Sequence, residues 1–305
     1  MRNTCLNSIY EIAKTNKKII FVGSDLGAGV LQKFKKEMPT RFFMEGISEQ
    51  YIVGMAAGLA KEGLIPYVNT ISTFLTRRCF EQIVIDLCLH NLPVRLIGNG
   101  GGLVYGPLGP THQAIEDIGI LRLLPNMTIC AVSDSNEMKS LIKESVNWPF
   151  PLYIRIARGG DKIISSKKNF KIGKNEIYNK GKNVLIVSTG VMTQIGLEVV
   201  KKLKKEKKNC TLVHVHTLKP FSFKSIEKLL KNINYIVSIE EHLSNGGLGT
   251  ILLEELSNKN YLQKIKLHRL GLKNNFITKY GSQDDLLKYF KLDSNSIYKF
   301  IKKIY

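Results

Sequence analysis

Three short segments of the sequence carry side chains that could take part in catalysis or ligand binding. Residues 45–50 (EGISEQ) supply two carboxylates, residues 70–78 (TISTFLTRR) supply an aromatic ring and two arginines, and the glycine-rich residues 98–113 end in GPTHQ. A carboxyl group and an imidazole are suited to proton transfer, and guanidinium groups bind anions. The three segments lie at predicted strand ends and in the loops that follow, where α/β proteins place their ligands.

The elements that position these segments alternate between short apolar runs and amphipathic stretches, which is typical of an α/β protein with parallel sheets. In the first half of the chain, strands are predicted at residues 19–22, 67–70, 94–98, 128–131 and 152–156. Helices are predicted near residues 49–61, 78–91 and 135–147. Asp134 or Ser135 is the natural N-cap of the third helix.

The alternation stops after residues 158–161 (RGGD), and the polar residues 162–183 are interpreted as a linker with short strands of its own. Strands are then predicted at residues 184–188, 211–214, 235–239 and 264–269, and helices at 191–204, 223–230, 247–257 and from Asp284 and Asp293. A length of 305 residues suits two domains. We therefore predict an α/β fold of two domains, residues 1–161 and 184–305, each with a mainly parallel sheet flanked by helices.

The composition indicates a folded, soluble protein. Apolar residues make up 44% of the chain, and no apolar stretch reaches the roughly 20 residues that cross a bilayer. Residues 1–18 lack the apolar core of a signal peptide, so a cytoplasmic location is expected. The five cysteines are widely spaced and form no C-x-x-C pair, which favours free thiols in a reducing compartment over a zinc site or a disulfide framework.

The net charge of +20 raises the alternative of a nucleic-acid-binding protein. The basic residues are mostly lysines in scattered pairs between apolar positions at helical spacing, as on solvated helix faces. Few aromatic residues are interleaved with them for base stacking. The charge therefore indicates a lysine-rich composition, although it also suits an acidic partner or an anionic substrate.

The motifs of the chain resemble those of a known enzyme family. Residues 46–50 (G-I-x-E-Q), 73–77 (T-F-L-x-R), 109–113 (G-P-T-H-Q), 240–242 (EEH) and 245–249 (NGGLG) occur in the order and approximate spacing of transketolase. The chain resembles the C-terminal half of transketolase encoded as a separate subunit, with a pyrimidine-binding domain followed by the transketolase C-terminal domain. It is also similar to the matching half of deoxyxylulose-phosphate synthase. Both glutamates of residues 240–242 are predicted to order a loop of the second domain.

This resemblance implies a thiamine diphosphate enzyme, in which a carboxylic acid hydrogen-bonds the ring nitrogen of the coenzyme's aminopyrimidine. That bond favours the imino tautomer, which takes the proton from the thiazolium carbon. Glu49 matches the family's glutamate, whereas without the resemblance it would be interpreted as a carboxylate that opens a helix. Phe74 matches the aromatic residue that stacks on the pyrimidine, and its alternative is an ordinary core residue. Asp25, Gln50 and Arg78 complete the predicted coenzyme-binding residues.

The resemblance also implies residues that face the substrate. His112 matches the family histidine that assists proton transfer or holds a substrate hydroxyl, although a lone histidine is often structural. Arg158 matches an arginine that binds the substrate phosphate, and Arg77 could add positive charge there. Glu45 is the rival carboxylate, but it lies outside the family's glutamate position.

Three positions depart from the transketolases that act on sugar phosphates. The acidic residue four positions before the loop histidine is replaced by Leu108, a phosphate-binding histidine by Gly100, and a phosphate-binding serine by Gly29. Arg158 without these companions is a reduced anion site. We therefore expect that the donor or the acceptor is not an ordinary pentose phosphate.

A further absence concerns the metal half of the site. Thiamine enzymes bind the diphosphate and Mg²⁺ through a Gly-Asp-Gly motif and a later Asn ligand, and this sequence contains no Gly-Asp-Gly. No metal ligands are therefore assigned to this chain. The resemblance implies an N-terminal transketolase subunit that carries the motif and holds Mg²⁺, in a heterotetramer with the coenzyme at the interface. The small-residue helix from Gly54 is the predicted interface element, and the chain alone should have little activity.

The leading hypothesis is one subunit of a transketolase, a transferase of carbohydrate metabolism that moves a two-carbon ketol unit from a ketose to an aldose. One alternative is a deoxyxylulose-phosphate synthase-like enzyme, which releases CO₂ from pyruvate. Another is the beta subunit of a 2-oxo acid dehydrogenase, which also passes its acyl group to a lipoyl arm. Outside the enzymes, the alternative is a non-catalytic basic nucleic-acid-binding or scaffold protein, which steeply salt-dependent DNA or RNA binding would support. No membrane partner is expected.

Overall fold

Helices and strands alternate along the chain, as the sequence pattern predicts. A computed structural model describes residues 1–24, 29, 31–157, 162–165 and 170–305. The strands are β1 Ile19–Gly23, β2 Phe42–Met44, β3 Ile65–Ile71, β4 Arg95–Asn99, β5 Thr128–Ala131, β6 Leu152–Ile156, β7 Glu176–Asn179, β8 Asn183–Ser188, β9 Thr211–His214, β10 Thr217–Lys219, β11 Ile233–Leu243 and β12 Lys266–Leu272. The helices are α1 Arg2–Thr15, α2 Gln32–Glu37, α3 Glu49–Lys61, α4 Phe80–Gln82, α5 Asp117–Leu121, α6 Ser135–Ser145, α7 Met192–Lys205, α8 Phe223–Glu227, α9 Leu248–Asn258, α10 Gln283–Tyr289 and α11 Ser294–Ile304.

The strands form two mainly parallel sheets. The first has the order β10-β5-β6-β4-β3-β1-β2, and the second has the order β12-β11-β8-β9-β7. Each sheet has one antiparallel edge strand, β10 beside β5 and β7 beside β9. Interior strands such as β4 and β6 are buried along their whole length, as in sheets covered by helices on both faces. The structure confirms the predicted α/β fold with two mainly parallel sheets.

The two halves of the chain are packed together tightly. Strand β10 comes from the second half but joins the first sheet, where Thr217 pairs with Cys130 of β5. One continuous hydrophobic cluster contains buried residues of both halves, among them Leu121 and Leu252. Strand β7 lies within residues 162–183, the predicted linker, and extends the second sheet.

The N-cap of α6 is Asp134, one of the two residues predicted for it. One carboxylate oxygen of Asp134 accepts the backbone N–H groups of Asn136 at 2.9 Å and Glu137 at 3.0 Å. The other oxygen accepts the backbone N–H groups of Ile164 and Ser165. A single aspartate therefore begins a helix and also fastens residues 162–165 to the first domain.

The five cysteines are free and buried, as the sequence predicts for thiols without partners. Burial raises the pKa of Cys5 and of Cys130 to about 12, so almost no thiolate forms at neutral pH. Among the residues that the structure describes, no helix has the length and apolar character needed to cross a membrane.

A buried carboxylate joins α6 of the first domain to β9 of the second. Glu137 Oε2 accepts hydrogen bonds from the Ser133 N–H at 2.6 Å and lies 3.0 Å from His214 Nε2. Burial alone would raise the pKa of Glu137, but the neighbouring imidazole and the backbone N–H lower it to about 2. The ionised form of Glu137 is therefore the form that holds the two domains together here.

We expect Glu137 to make the stability of the isolated chain sensitive to acid. A lowered pKa stabilises the folded state above the ordinary value of 4.5, and this contribution is lost as the pH falls from 4.5 towards 2. The Glu137→Gln protein lacks this titration. Its free energy of unfolding should therefore fall by about 2–3 kcal/mol less than that of the wild type over the same pH range. Urea unfolding at a series of pH values measures it for both proteins, and parallel curves would contradict the assignment.

Candidate active site

The predicted site segments meet at one edge of the first sheet. In the parallel register Thr70 of β3 is level with Gly98 of β4, and Gly98 is level with Arg155 of β6. The chain leaves β3 through a π-helical turn, Phe74–Arg78, and leaves β4 through the glycine-rich loop. The predicted helix at residues 78–91 is thus largely π-helical, a wider geometry that often occurs at functional sites.

Glu49 is the first residue of α3, and its carboxylate is buried, with 1% of the side chain exposed. One oxygen is paired with the Arg78 guanidinium, and the other accepts a hydrogen bond from Thr70 Oγ1 at 3.4 Å. A buried carboxylate needs such partners, because burying an isolated charge costs far more than one contact restores. Glu49 therefore opens a helix and also presents a buried acceptor at the sheet edge.

Arg78 bridges Glu49 and Phe74. Its guanidinium carbon lies 4.5 Å from the centroid of the Phe74 ring, while one of its nitrogens donates to Glu49. A flat, hydrogen-bonding group thus lies over the half-buried Phe74 and against the buried carboxylate. The resemblance assigns the same two contacts, stacking on Phe74 and a hydrogen bond to Glu49, to the aminopyrimidine ring of the coenzyme. Phe74 and Glu49 are therefore placed to bind a flat ring of this kind.

His112 lies beside Phe74. The two ring centroids are 5.1 Å apart at an interplanar angle of 68°, and His112 Nδ1 is 2.8 Å from Thr111 Oγ1. Arg77 holds the histidine loop, because it pairs with Glu116 and donates to the Gln113 carbonyl at 3.0 Å. The T-F-L-x-R and G-P-T-H-Q motifs are therefore joined directly by side-chain contacts.

The structure describes only some of the other predicted site residues. Gln50 is exposed in the first turn of α3, and Asp25 and Arg158 lie outside the described residues. Arg77 and Arg78 each face a carboxylate, so the extra positive charge predicted for a substrate is largely neutralised. In the part of the chain that the structure describes, no group of three or more His, Cys, Asp or Glu side chains could hold a metal ion.

A cavity of about 640 Å³ opens at the carboxyl end of β4. Its lining includes Gly100, Tyr105 and Gln283, and Arg2 has the one basic side chain among its described lining residues. Gly100 has a φ of +80°, and a Cβ atom there would lie 2.1 Å from the Tyr105 ring. This loop conformation therefore has no room for the histidine that sugar-phosphate transketolases carry at this position.

A buried polar layer behind the glycine-rich loop escaped the sequence analysis. Asp117 accepts hydrogen bonds from Tyr153 Oη and from Arg155 Nε, each at 2.7 Å. Arg155 also donates to the carbonyl groups of Ala114 and Glu241. Asp117, Tyr153 and Arg155 belong to no motif, and their only sequence signal is the charged Arg155 within a strand that is otherwise apolar.

The two adjacent glutamates of β11 have different roles. Glu240 accepts the backbone N–H groups of Leu248 and Gly249 at the start of α9, so it orders the loop as predicted. Glu241 accepts a hydrogen bond from Gln283 at the start of α10 in the second domain, and its side chain also reaches the first domain, which was not predicted, where it accepts the Leu103 N–H at 2.7 Å. Adjacent strand residues point to opposite faces, and this alternation is the signal that could have separated the two. Burial raises the pKa of Glu241 to about 7.

Comparison with known proteins identifies the family of the chain. The family model "Transketolase, pyrimidine binding domain" matches residues 1–160, and "Transketolase, C-terminal domain" matches residues 173–297. The 1-deoxy-D-xylulose-5-phosphate synthase of Caldanaerobacter subterraneus subsp. tengcongensis is 35% identical over 95% of this chain and 46% of that protein. The corresponding synthase of Dictyoglomus thermophilum is 38% identical over 90% of this chain and 45% of that protein. The chain thus spans about half the length of the curated relatives it matches.

Solved structures place the similarity over the whole chain. A structure described as split gene transketolase, inactive beta4 tetramer, is 30% identical, with a TM-score of 0.88 over 99% of this chain and 97% of that chain. The transketolase of Campylobacter jejuni has the same fold at 18% identity, with a TM-score of 0.80 over 99% of this chain and 46% of that one. The chain therefore belongs to the transketolase family, as a pyrimidine-binding domain followed by a transketolase C-terminal domain.

Proposed function

We propose that this chain is the pyrimidine-binding subunit of a thiamine diphosphate-dependent, transketolase-type transferase that moves a two-carbon ketol unit between sugars. The observation that carries the proposal is the convergence of Glu49, Phe74 and His112 at one sheet edge, with a planar guanidinium lying over Phe74 and against Glu49. Membership of the transketolase family supports the same activity.

Each of the three residues has a distinct task in this proposal. When bound, thiamine diphosphate supplies the acidic carbon that attacks the donor ketose. Glu49 holds a proton at the pyrimidine ring nitrogen, and Phe74 orients the ring by stacking, an interaction typically worth about 0.5–1.5 kcal/mol beyond burial. His112 is close enough to this ring stack to move a proton at a substrate hydroxyl. The further assigned residues are Asp25, Gln50 and Arg78 for the coenzyme, and Arg77 and Arg158 for the substrate.

A partner subunit completes the site in this proposal. Large apolar side chains are exposed around it: Ile47 and Tyr51 flank Glu49 and are 72% and 60% exposed. Leu108 and Tyr280, 51% and 64% exposed, lie at the G-P-T-H-Q loop, against which the Tyr280 ring packs. Exposed apolar side chains grouped in this way mark protein interfaces. An N-terminal subunit with a Gly-Asp-Gly motif would cover them and hold the diphosphate and Mg²⁺, in a cytoplasmic heterotetramer.

Reconstitution tests the proposal. The chain is purified with the product of a neighbouring gene that encodes Gly-Asp-Gly, and ketol transfer is assayed with and without thiamine diphosphate and Mg²⁺. We expect transfer only with both subunits and both additions. A complex that forms but transfers no ketol unit from any ketose would overturn the proposal.

A second candidate function rests on the curated relatives. Deoxyxylulose-phosphate synthases are 35–38% identical to this chain in the first matches. An enzyme of that kind would release CO₂ from pyruvate, so pyruvate is offered to the same complex with an aldose phosphate. CO₂ release would favour this candidate, and acyl transfer to a lipoyl group would favour a 2-oxo acid dehydrogenase.

We expect the assembled enzyme to show only a weak preference for pentose phosphates over unphosphorylated ketoses. Leu108 and Gly100 stand where sugar-phosphate transketolases have polar ligands, and Arg2 has the one basic side chain in the described lining of the neighbouring cavity. The measurement compares kcat/KM for xylulose 5-phosphate with that for unphosphorylated ketoses. A full set of phosphate ligands would give a preference of several orders of magnitude for the phosphorylated ketose. Because this chain lacks most of those ligands, we expect a preference below about 100-fold. Efficient, selective use of the pentose phosphate would refute it.

A further inference from the structure

The glycine-rich loop that carries His112 is held at its start by the first sheet. The N–H groups of Gly100 and Gly101 both donate to the Ile156 carbonyl of β6, at 3.0 and 2.9 Å. A Cβ atom on Gly101 would lie 2.6 Å from the Arg155 side chain, so the loop lies directly on β6. These contacts fix its first two residues only.

The rest of the loop is held by Arg77, by the hydrogen bond from the Gly102 N–H to the Ala114 carbonyl at 2.8 Å, and by the second domain. Leu103 N–H donates to Glu241 Oε1 at 2.7 Å, and beyond the histidine the Ile115 carbonyl accepts the Leu243 N–H at 2.8 Å. Farther on, the Gly119 N–H donates to His242 Nε2 at 3.2 Å. Three consecutive residues of β11, 241–243, therefore contact the chain on both sides of His112.

Glu241 is buried in this contact, and both of its carboxylate oxygens are hydrogen-bonded. It is 2% exposed, and Gln283 Nε2 of α10 donates to both of its oxygens at 2.9 Å. Gly102 has a φ of +76°, and a Cβ atom there would lie 2.5 Å from the carboxyl carbon of Glu241. The loop is thus shaped to receive this carboxylate.

We infer that residues 241–243 of the C-terminal domain position the catalytic loop, and that Glu241, supported by Gln283, is a positioning residue for His112. The inference rests on the proposed function for what His112 does, but not for the loop contact itself. It gives the second domain a task in the active site without a side chain that touches substrate.

The first test needs no partner subunit. Amide hydrogen exchange is followed in the full chain for peptides covering residues 100–119. Glu241→Ala leaves the buried Leu103 N–H unpaired, and we expect exchange in this segment to rise about tenfold. Glu241→Gln keeps an oxygen for Leu103 and should remain near the wild type. As a matched control, Glu254→Ala removes an exposed ion pair with Arg122 between the same domains and should leave the loop unchanged.

Unchanged exchange in a folded Glu241→Ala protein would overturn the inference. If that variant does not fold, Gln283→Ala decides by the same measurement, with a rise in exchange supporting the inference and none opposing it. In the reconstituted complex, Glu241→Ala should lower kcat about tenfold while the KM for thiamine diphosphate changes less than about twofold. If exchange rises in Glu241→Ala but the reconstituted wild-type complex transfers no ketol unit, the loop contact is supported and the proposed function is refuted.

Discussion

Glu49→Gln is expected to lower the turnover of the reconstituted enzyme by about 10²–10⁴-fold, because a positioned acid or base typically contributes that much. The substitution keeps the size of the side chain and its hydrogen bond from Thr70, but it removes the charge that pairs with Arg78. The coenzyme ring would then lose the group that holds a proton at its nitrogen. Initial rates at saturating thiamine diphosphate and Mg²⁺ give the comparison.

Glu45→Gln is the matched control for this prediction. Glu45 lies four residues earlier and is exposed, and it should be replaceable with less than about a twofold change in rate. Normal turnover by Glu49→Gln, or an equal loss in both variants, would remove the basis of the proposed function. Coenzyme binding measured by calorimetry separates a loss of affinity from a loss of chemistry.

Asp117→Asn is expected to lower the free energy of unfolding of the isolated chain by about 3–5 kcal/mol. Removing one partner of a buried ion pair leaves the other charge buried without compensation. Asp117 is fully buried and Arg155 is 8% exposed. Asp117 also accepts a hydrogen bond from the Tyr153 hydroxyl. Asparagine keeps the shape but loses the charge, and urea unfolding near neutral pH measures the difference.

The control for the stability prediction is an exposed ion pair. Arg122 and Glu254 also connect the two domains, but Glu254 is 51% exposed, and solvent screens such a pair. Glu254→Gln should therefore cost less than about 1 kcal/mol. A cost for Asp117→Asn as small as this would show that the buried layer contributes little to stability.

The predictable part of the fold consists of the elements with a strong local pattern. Strands β5, β6 and β9 and helix α3 have the predicted bounds, since each strand is a clear apolar run and α3 has apolar residues at helical spacing. Helix α1 buries Cys5, Leu6, Ile9 and Ala13, but these residues alternate with polar and charged ones, and the sequence analysis missed the helix. Strands β2 and β10 are three residues long, which is too short for any periodicity to appear.

The candidate site divides in the same way. Glu49, Phe74 and His112 could be predicted because the type and local spacing of their motifs are characteristic. Glu241 could not, because its partner Leu103 is 138 residues away in the sequence and the contact depends on how the domains pack. Arg78 was assigned to the coenzyme, but its contact with both Glu49 and Phe74 depends on the π-helical turn, which the sequence did not predict.

The position of Arg78 has a consequence for affinity measurements. A small molecule that takes both the covered face of Phe74 and the Glu49 oxygen paired with Arg78 must first expel a guanidinium that the polypeptide itself provides. Binding of such a molecule then displaces the Arg78 guanidinium. The measured dissociation constant therefore reports the difference between the binding free energy of the ligand and that of the guanidinium. A shorter side chain at Arg78 would therefore change the free protein, against which the affinity is measured, as well as the contacts in the complex.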